Sequence, residues 1–121
     1  MITDPSGYLG SGSLSEFVRD ASSAPIPDPE EELRLAMAAS HGDGRARDLL
    51  IRTHLRMVVD VAIVLRGDVP ASRLIPAGLK GLVQAADRFD PKHDGSFSAF
   101  ARPFIRREMR AALFPELAPE G

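Results

Sequence analysis

Between Leu55 and Leu65 every residue except Arg56 and Asp60 is apolar. Leu55, Val58, Val59, Ala62 and Leu65 follow the three–four spacing of one helical face, and Met57, Val61 and Val64 form a second stripe beside it. A helix that apolar has to be enclosed by others. Ile63 falls on the polar edge with Arg52, Arg56 and Asp60, as an exposed hydrophobe. No segment of the chain alternates with period two, so the fold class expected is all-α: a compact bundle of about four helices with a flexible N-terminal arm.

The neighbouring segments supply the other helices. Asp28-Pro29-Glu30-Glu31 offers an N-cap acid, proline at the first helical position and a carboxylate three residues after the cap. This first helix runs to about Ser40 and buries Leu33, Ala36 and Met37, and His41-Gly42-Asp43-Gly44 ends it. The second helix spans about Arg45 to Leu65. After the Arg66–Pro70 turn a third begins near Ser72, with Pro76 in its first turns. It buries Leu74, Ile75, Leu79, Leu82, Val83 and Ala86, with Phe89 closing its end. Gly78 and Gly81 within it lower helicity but admit a close neighbour. The fourth helix starts at Ser98 as N-cap and ends near Leu113, because Phe114-Pro115 and the following residues cannot continue it. The organisation expected is therefore an arm over 1–27, a helical domain over 28–114 and a tail over 115–121.

A chain of 121 residues holds one domain at most. With no cysteine it has no disulfide scaffold and no thiolate metal site, which fits a reducing cytoplasm. The start lacks a basic region followed by an apolar one, so secretion is not expected, and the apolar runs are too short to span a bilayer. His41, His54 and His93 lie in different segments without metal-ligand spacing, and there is no phosphate loop or nucleophile elbow. Neither an enzyme, a metal, a cofactor nor a small-molecule substrate is expected. Asp87 and Asp90 flank Arg88 as helix-end charges rather than as an acid–base pair.

Charge is distributed unevenly. The net charge of −2 conceals an acidic start, a basic body and an acidic tail: residues 1–32 carry seven acids against Arg19, residues 33–113 carry fourteen Lys and Arg against eight acids, and Glu116 and Glu120 follow. A basic body behind an acidic arm suits a binder of nucleic acid or another polyanion; solvated surface charge is the alternative. In the fourth helix Phe97, Phe100 and Phe104 share a face by spacing, widened by Ala101, Ile105, Met109 and Ala112. Most of that face reads as core. Arg102, Arg106 and Arg110 repeat every four residues on another face, with Arg107 next to the row. Such a strip suits phosphates, and rings at its edge suit stacking on unpaired bases.

Taken together, EEELRLA, the Gly42-Asp43 break, LLIRTHLRMVVDVA, the RG turn, LIPAGLKGLVQAADRFDP and FSAFARPFIRREMRAAL resemble region 2 of the sigma-70 family of bacterial transcription factors. The resemblance covers about Glu30 to Leu113. Ala101, Pro103, Ile105 and Glu108 look most like the stress and sporulation subgroup. The resemblance implies a cytoplasmic protein of transcription initiation with two surfaces. The third helix would meet the RNA polymerase core through Arg73, Pro76, Ala77, Leu79 and Lys80. The fourth would help open the promoter −10 element and hold its bases through Phe97, Phe100, Arg102, Phe104, Arg106, Arg107 and Arg110. Ser72, Arg73 and Pro76 stand where the family usually has acids before the Leu-Ile pair and glutamine after it. The family also continues past Leu113 toward further −10 and −35 recognition. The alternative reading is a sigma mimic that occupies an anti-sigma factor or another sigma partner without reading DNA; the third-helix substitutions favour it, and the aromatic and arginine block favours DNA.

Overall fold

The computed structural model describes residues 27–115, together with Arg19. Most of the expected arm, and the tail beyond Pro115, lie outside the described residues. Within residues 27–115 five helices follow in order: α1 (Pro29–Ser40), α2 (Gly44–Arg52), α3 (Leu55–Leu65), α4 (Ala71–Arg88) and α5 (Phe97–Leu113). Among the described residues there is no strand, so the all-α expectation holds.

The helix starts are set by side-chain caps. Asp28 Oδ1 accepts from the Glu31 amide at 2.8 Å with Pro29 in the first turn, as expected for α1. Gly42 then takes φ 94°, a left-handed angle open to glycine, and turns the chain. Asp43 Oδ1 accepts from the amides of Arg45 and Ala46, at 3.0 and 3.1 Å, to open α2. For α5 the cap is Ser96, whose Oγ accepts from Ala99 N at 3.2 Å, and not Ser98. Ser98 is the second residue of the helix, because Phe97 already has a partner for its amide (below).

The segment expected as one helix from Arg45 to Leu65 is two. Thr53 Oγ1 and His54 Nδ1 both reach the Leu50 carbonyl, at 3.1 and 2.8 Å. Side chains thus satisfy that acceptor, and the His54 amide turns to Ile51 O at 3.0 Å, one residue short of α-helical register. α3 restarts at Leu55, with Met57 N bonded to His54 O at 3.1 Å. The break redirects the chain so that Leu50, Ile51, Leu55 and Val58 all point into one core.

α4 and α5 make the closest helix pair, and two glycines allow it. A Cβ built on Gly81 would meet the Phe104 carbonyl and lie 2.8 Å from Ile105 Cα; one built on Gly78 would run into the Met109 methyl and lie 2.8 Å from Val58 Cγ1. Leu74, Ile75, Leu79 and Leu82 of α4 interleave with Ala101, Ile105 and Met109 of α5 and with Val58 and Ala62 of α3. Each large side chain so enclosed contributes about 1.5–3 kcal/mol. Three expected core positions are not core: Met37 is only half-buried and lies outside the core cluster, and Leu33 and Val64 are exposed. Leu33 is 50% exposed, and Leu35 packs against the interior instead; Val64 is 80% exposed beside Ile63. Leu35 and Ala36 carry the apolar contact of α1 with the core, and at the end of α3 it is Leu65 rather than Val64 that packs inward, so spacing alone assigned Leu33 and Val64 wrongly.

Candidate nucleic-acid interface

α5 is fixed at its start by a residue of α1. Glu32 Oε2 accepts from the Phe97 amide at 2.9 Å, and its other oxygen lies 3.1 Å from His54 Nε2. One carboxylate therefore satisfies an orphan donor at the α5 N-terminus and ties it to the α2–α3 break. His54 is buried, with Nδ1 on the Leu50 carbonyl. Its ring meets Phe97 edge-on, centroids 4.9 Å apart at 78°.

From Phe97 a series of rings leads outward. Phe97 and Phe89 meet at 5.3 Å, Phe89 and Phe100 at 5.2 Å, and Phe100 and Phe104 at 5.0 Å. Phe97 is 0% exposed. The family resemblance implies a base-facing role for it, but it is a core side chain, as the spacing of that face implies, and no base can reach it. Phe100 and Phe104 are half-buried at the outer end of the series.

The arginines divide between two flanks of α5. Arg102, Arg106 and Arg110 keep their four-residue row, with Arg102 and Arg110 exposed and Arg106 partly buried. Arg107 does not extend that row. It turns toward α4, where Nη2 lies 3.5 Å from Gln84 Oε1 and its guanidinium stands 5.8 Å from the Phe104 centroid. One residue is about 100° of helix, enough to carry Arg107 to the other flank. Arg88, at the end of α4, stands over the same ring at 5.9 Å. Its sequence neighbour Asp87 is engaged elsewhere, with Arg47 of α2 at 2.7 Å; that hydrogen bond raises the Arg47 guanidinium above its ordinary value.

Arg102, the first of the row, lines a groove of about 470 Å³ between the start of α1, α3 and the first turns of α5. Arg56, Asp60, Thr53, His54, Ser98 and Arg102 are among its walls. Spacing within single helices did not place Arg56 or Glu32 here, because the groove joins residues from three elements.

The expected polymerase-facing positions are only partly on the surface. Arg73, Pro76 and Lys80 are exposed and Ala77 half-buried. Leu79 is 1% exposed and packs inward, so it leaves that set. Lys80 Nζ lies 3.7 Å from Glu108 Oε1, joining α4 to α5.

Among the described residues, no group of three or more His, Asp or Glu side chains could hold a metal ion, and no helix is long and apolar enough to cross a membrane. Residues 50–114, which hold α3, α4, α5 and the groove's main walls, match the family Sigma-70 region 2.

The chain belongs to that family.

It is similar to the RNA polymerase sigma factor RpoH of Zymomonas mobilis subsp. mobilis, 35% identical over 103 residues, 84% of this chain and 34% of the relative. RpoS of Coxiella burnetii is 35% identical over 99 residues, 80% of this chain and 28% of the relative. SigA of Clostridium acetobutylicum is 33% identical over 114 residues, 93% of this chain and 30% of the relative. The chain thus spans about a third of the length of these sigma factors. In region 2 terms, α3 to α5 form the matched body, and α1 is the preceding helix that supplies Glu32.

Proposed function

We propose that this chain acts in bacterial transcription initiation as a sigma-type factor, in the cytoplasm and without enzymatic activity. It holds unpaired promoter −10 DNA on α5 and meets the RNA polymerase core on the outer edge of α4. The observation that carries the DNA reading is the row Arg102, Arg106 and Arg110 along one flank of α5, whose first member lines a groove of about 470 Å³ together with Arg56, Thr53 and Ser98 and the acids Glu32 and Asp60. Guanidiniums along one flank suit the phosphates of a strand, and a groove of that size has room for an unstacked base. Phe100 and Phe104 offer ring surface at the other flank. The relatives, all RNA polymerase sigma factors, support the polymerase half. On α4, Arg73, Pro76, Ala77 and Lys80 are the contact positions.

Two measurements test the reading. Pull-down of the tagged chain from its native lysate should recover core polymerase subunits; recovery of a small anti-sigma protein alone would replace the polymerase half with the mimic. A fluorescent single-stranded −10 oligonucleotide should bind with an affinity that falls as salt rises. Arg102→Ala with Arg106→Ala should make the plot of log K against log salt shallower by about 1.4. No binding at low salt would sink the DNA half.

A further inference from the structure

Phe104 stands at the surface end of the ring series, yet two guanidiniums lie over it. Arg88 comes from the last turn of α4 and Arg107 from the middle of α5, at 5.9 and 5.8 Å from the ring centroid. Both arginines are exposed, and cation–π contacts at exposed sites are weak. Nearby acids do little to hold the two guanidiniums. Asp87 is held by Arg47 at 2.7 Å, and Glu108 is shared between Arg107 at 3.9 Å and Lys80 at 3.7 Å. Gln84 holds Arg107 by a single long hydrogen bond of 3.5 Å. An arrangement of this kind is poised to accept an anion.

We infer that Arg88 and Arg107 cover Phe104 in the free protein and pass from the ring to phosphates of a bound strand, leaving the ring to stack on a base. The inference rests on the DNA reading above and adds Arg88 of α4 to the binding surface. Its chemistry is an exchange of weak contacts for strong ones. An exposed cation–π contact is replaced by a charge-assisted hydrogen bond to phosphate, and the uncovered ring gains a base. A ring kept covered until a strand arrives also presents less apolar surface to water.

The test has two arms on the full chain. In the free protein, nuclear Overhauser contacts should link the Phe104 ring to the δ-methylenes of Arg88 and Arg107. Those methylenes should carry upfield ring-current shifts that Phe104→Leu removes. Without these contacts in the wild type the cover does not exist, whatever the protein binds. In the second arm a short fluorescent single-stranded oligodeoxynucleotide is titrated across salt. Arg88→Gln and Arg107→Gln should each make the salt slope shallower by about 0.7, and Arg45→Gln, on the exposed start of α2, should leave it unchanged. On binding, the ring-current shifts of both arginines should collapse. If the wild type binds but Arg88→Gln keeps the full slope, the exchange is wrong and the DNA reading stands. If the wild type shows the ring contacts but binds no strand at low salt, the DNA reading fails and the exchange with it.

Discussion

Replacing Gly81 by alanine sets two effects of opposite sign against each other in one methyl group. Alanine is the better helix former by about 1 kcal/mol, and Gly81 lies well inside α4, so on an isolated helix the substitution would stabilise. In the bundle the new Cβ would meet the Phe104 carbonyl and lie 2.8 Å from Ile105 Cα. These are backbone atoms of α5 and cannot rotate away as a side chain can. Relief requires α4 and α5 to separate, which loosens the layer of Leu82, Ala101 and Ile105 between them. Overpacking of this kind costs roughly 1–3 kcal/mol, and more where backbone must move. With the upper end of that range taken, because backbone atoms have to move, and the propensity gain subtracted, the expected net loss is about 2 kcal/mol, or roughly 8–16 °C in Tm for a domain of this size. Urea unfolding followed by far-UV circular dichroism reads this directly. Gly78→Ala is the internal comparison: its Cβ meets the flexible end of Met109 and Val58 Cγ1, so it should lose less. An increase in stability for Gly81→Ala, or a greater loss for Gly78→Ala, would refute the claim that backbone contact at Gly81 sets the α4–α5 spacing.

Other substitutions probe the remaining joints. Glu32→Ala leaves the Phe97 amide and His54 Nε2 without their shared acceptor; a loss of about 2–3 kcal/mol is expected, and an unchanged urea midpoint would show that the bridge is idle. Asp43→Ala removes the cap of α2 and should cost about 1 kcal/mol; no loss of stability would mean that solvent satisfies those amides equally well. In the loop before α5, the Asp90 hydrogen bond raises the His93 pKa, and the same contact lowers that of Asp90. The ion pair is present while Asp90 is ionised and His93 protonated. It is lost as pH rises through the raised His93 value, and again as pH falls through the lowered Asp90 value. An NMR titration of the His93 ring should therefore move to lower pH in Asp90→Asn; an unmoved titration would dissociate the two groups in solution.

Much of the bundle was legible along the chain because helices announce themselves locally. Asp28-Pro29 at the head of α1, the turn at Gly42 and the apolar faces of α3 and α4 all depend on residues within one or two turns of each other. The misassignments arose where distant elements meet. Thr53 and His54 look unremarkable in a helical run, and only their shared hold on the Leu50 carbonyl breaks it. Ser96 and Ser98 are equally good caps by type; Glu32, some sixty residues earlier in the chain, captures the Phe97 amide and so favours Ser96. Phe97, Phe100 and Phe104 have the same spacing, but depth in the bundle separates a core ring from two surface ones.

The sequence by itself determined that the protein is an all-helical bundle of the sigma region 2 kind, with a basic body and a row of arginines on its last helix. Periodicity, caps and composition are properties of short stretches, so they survive without knowledge of the whole. The tertiary structure alone decided which of those residues share a surface. It carried Arg107 across to Arg88 over one ring, and opened a groove beside Arg102 and Arg56. Burial and charge pairing depend on what packs across from a residue, and that neighbour is set by the fold rather than by position along the chain.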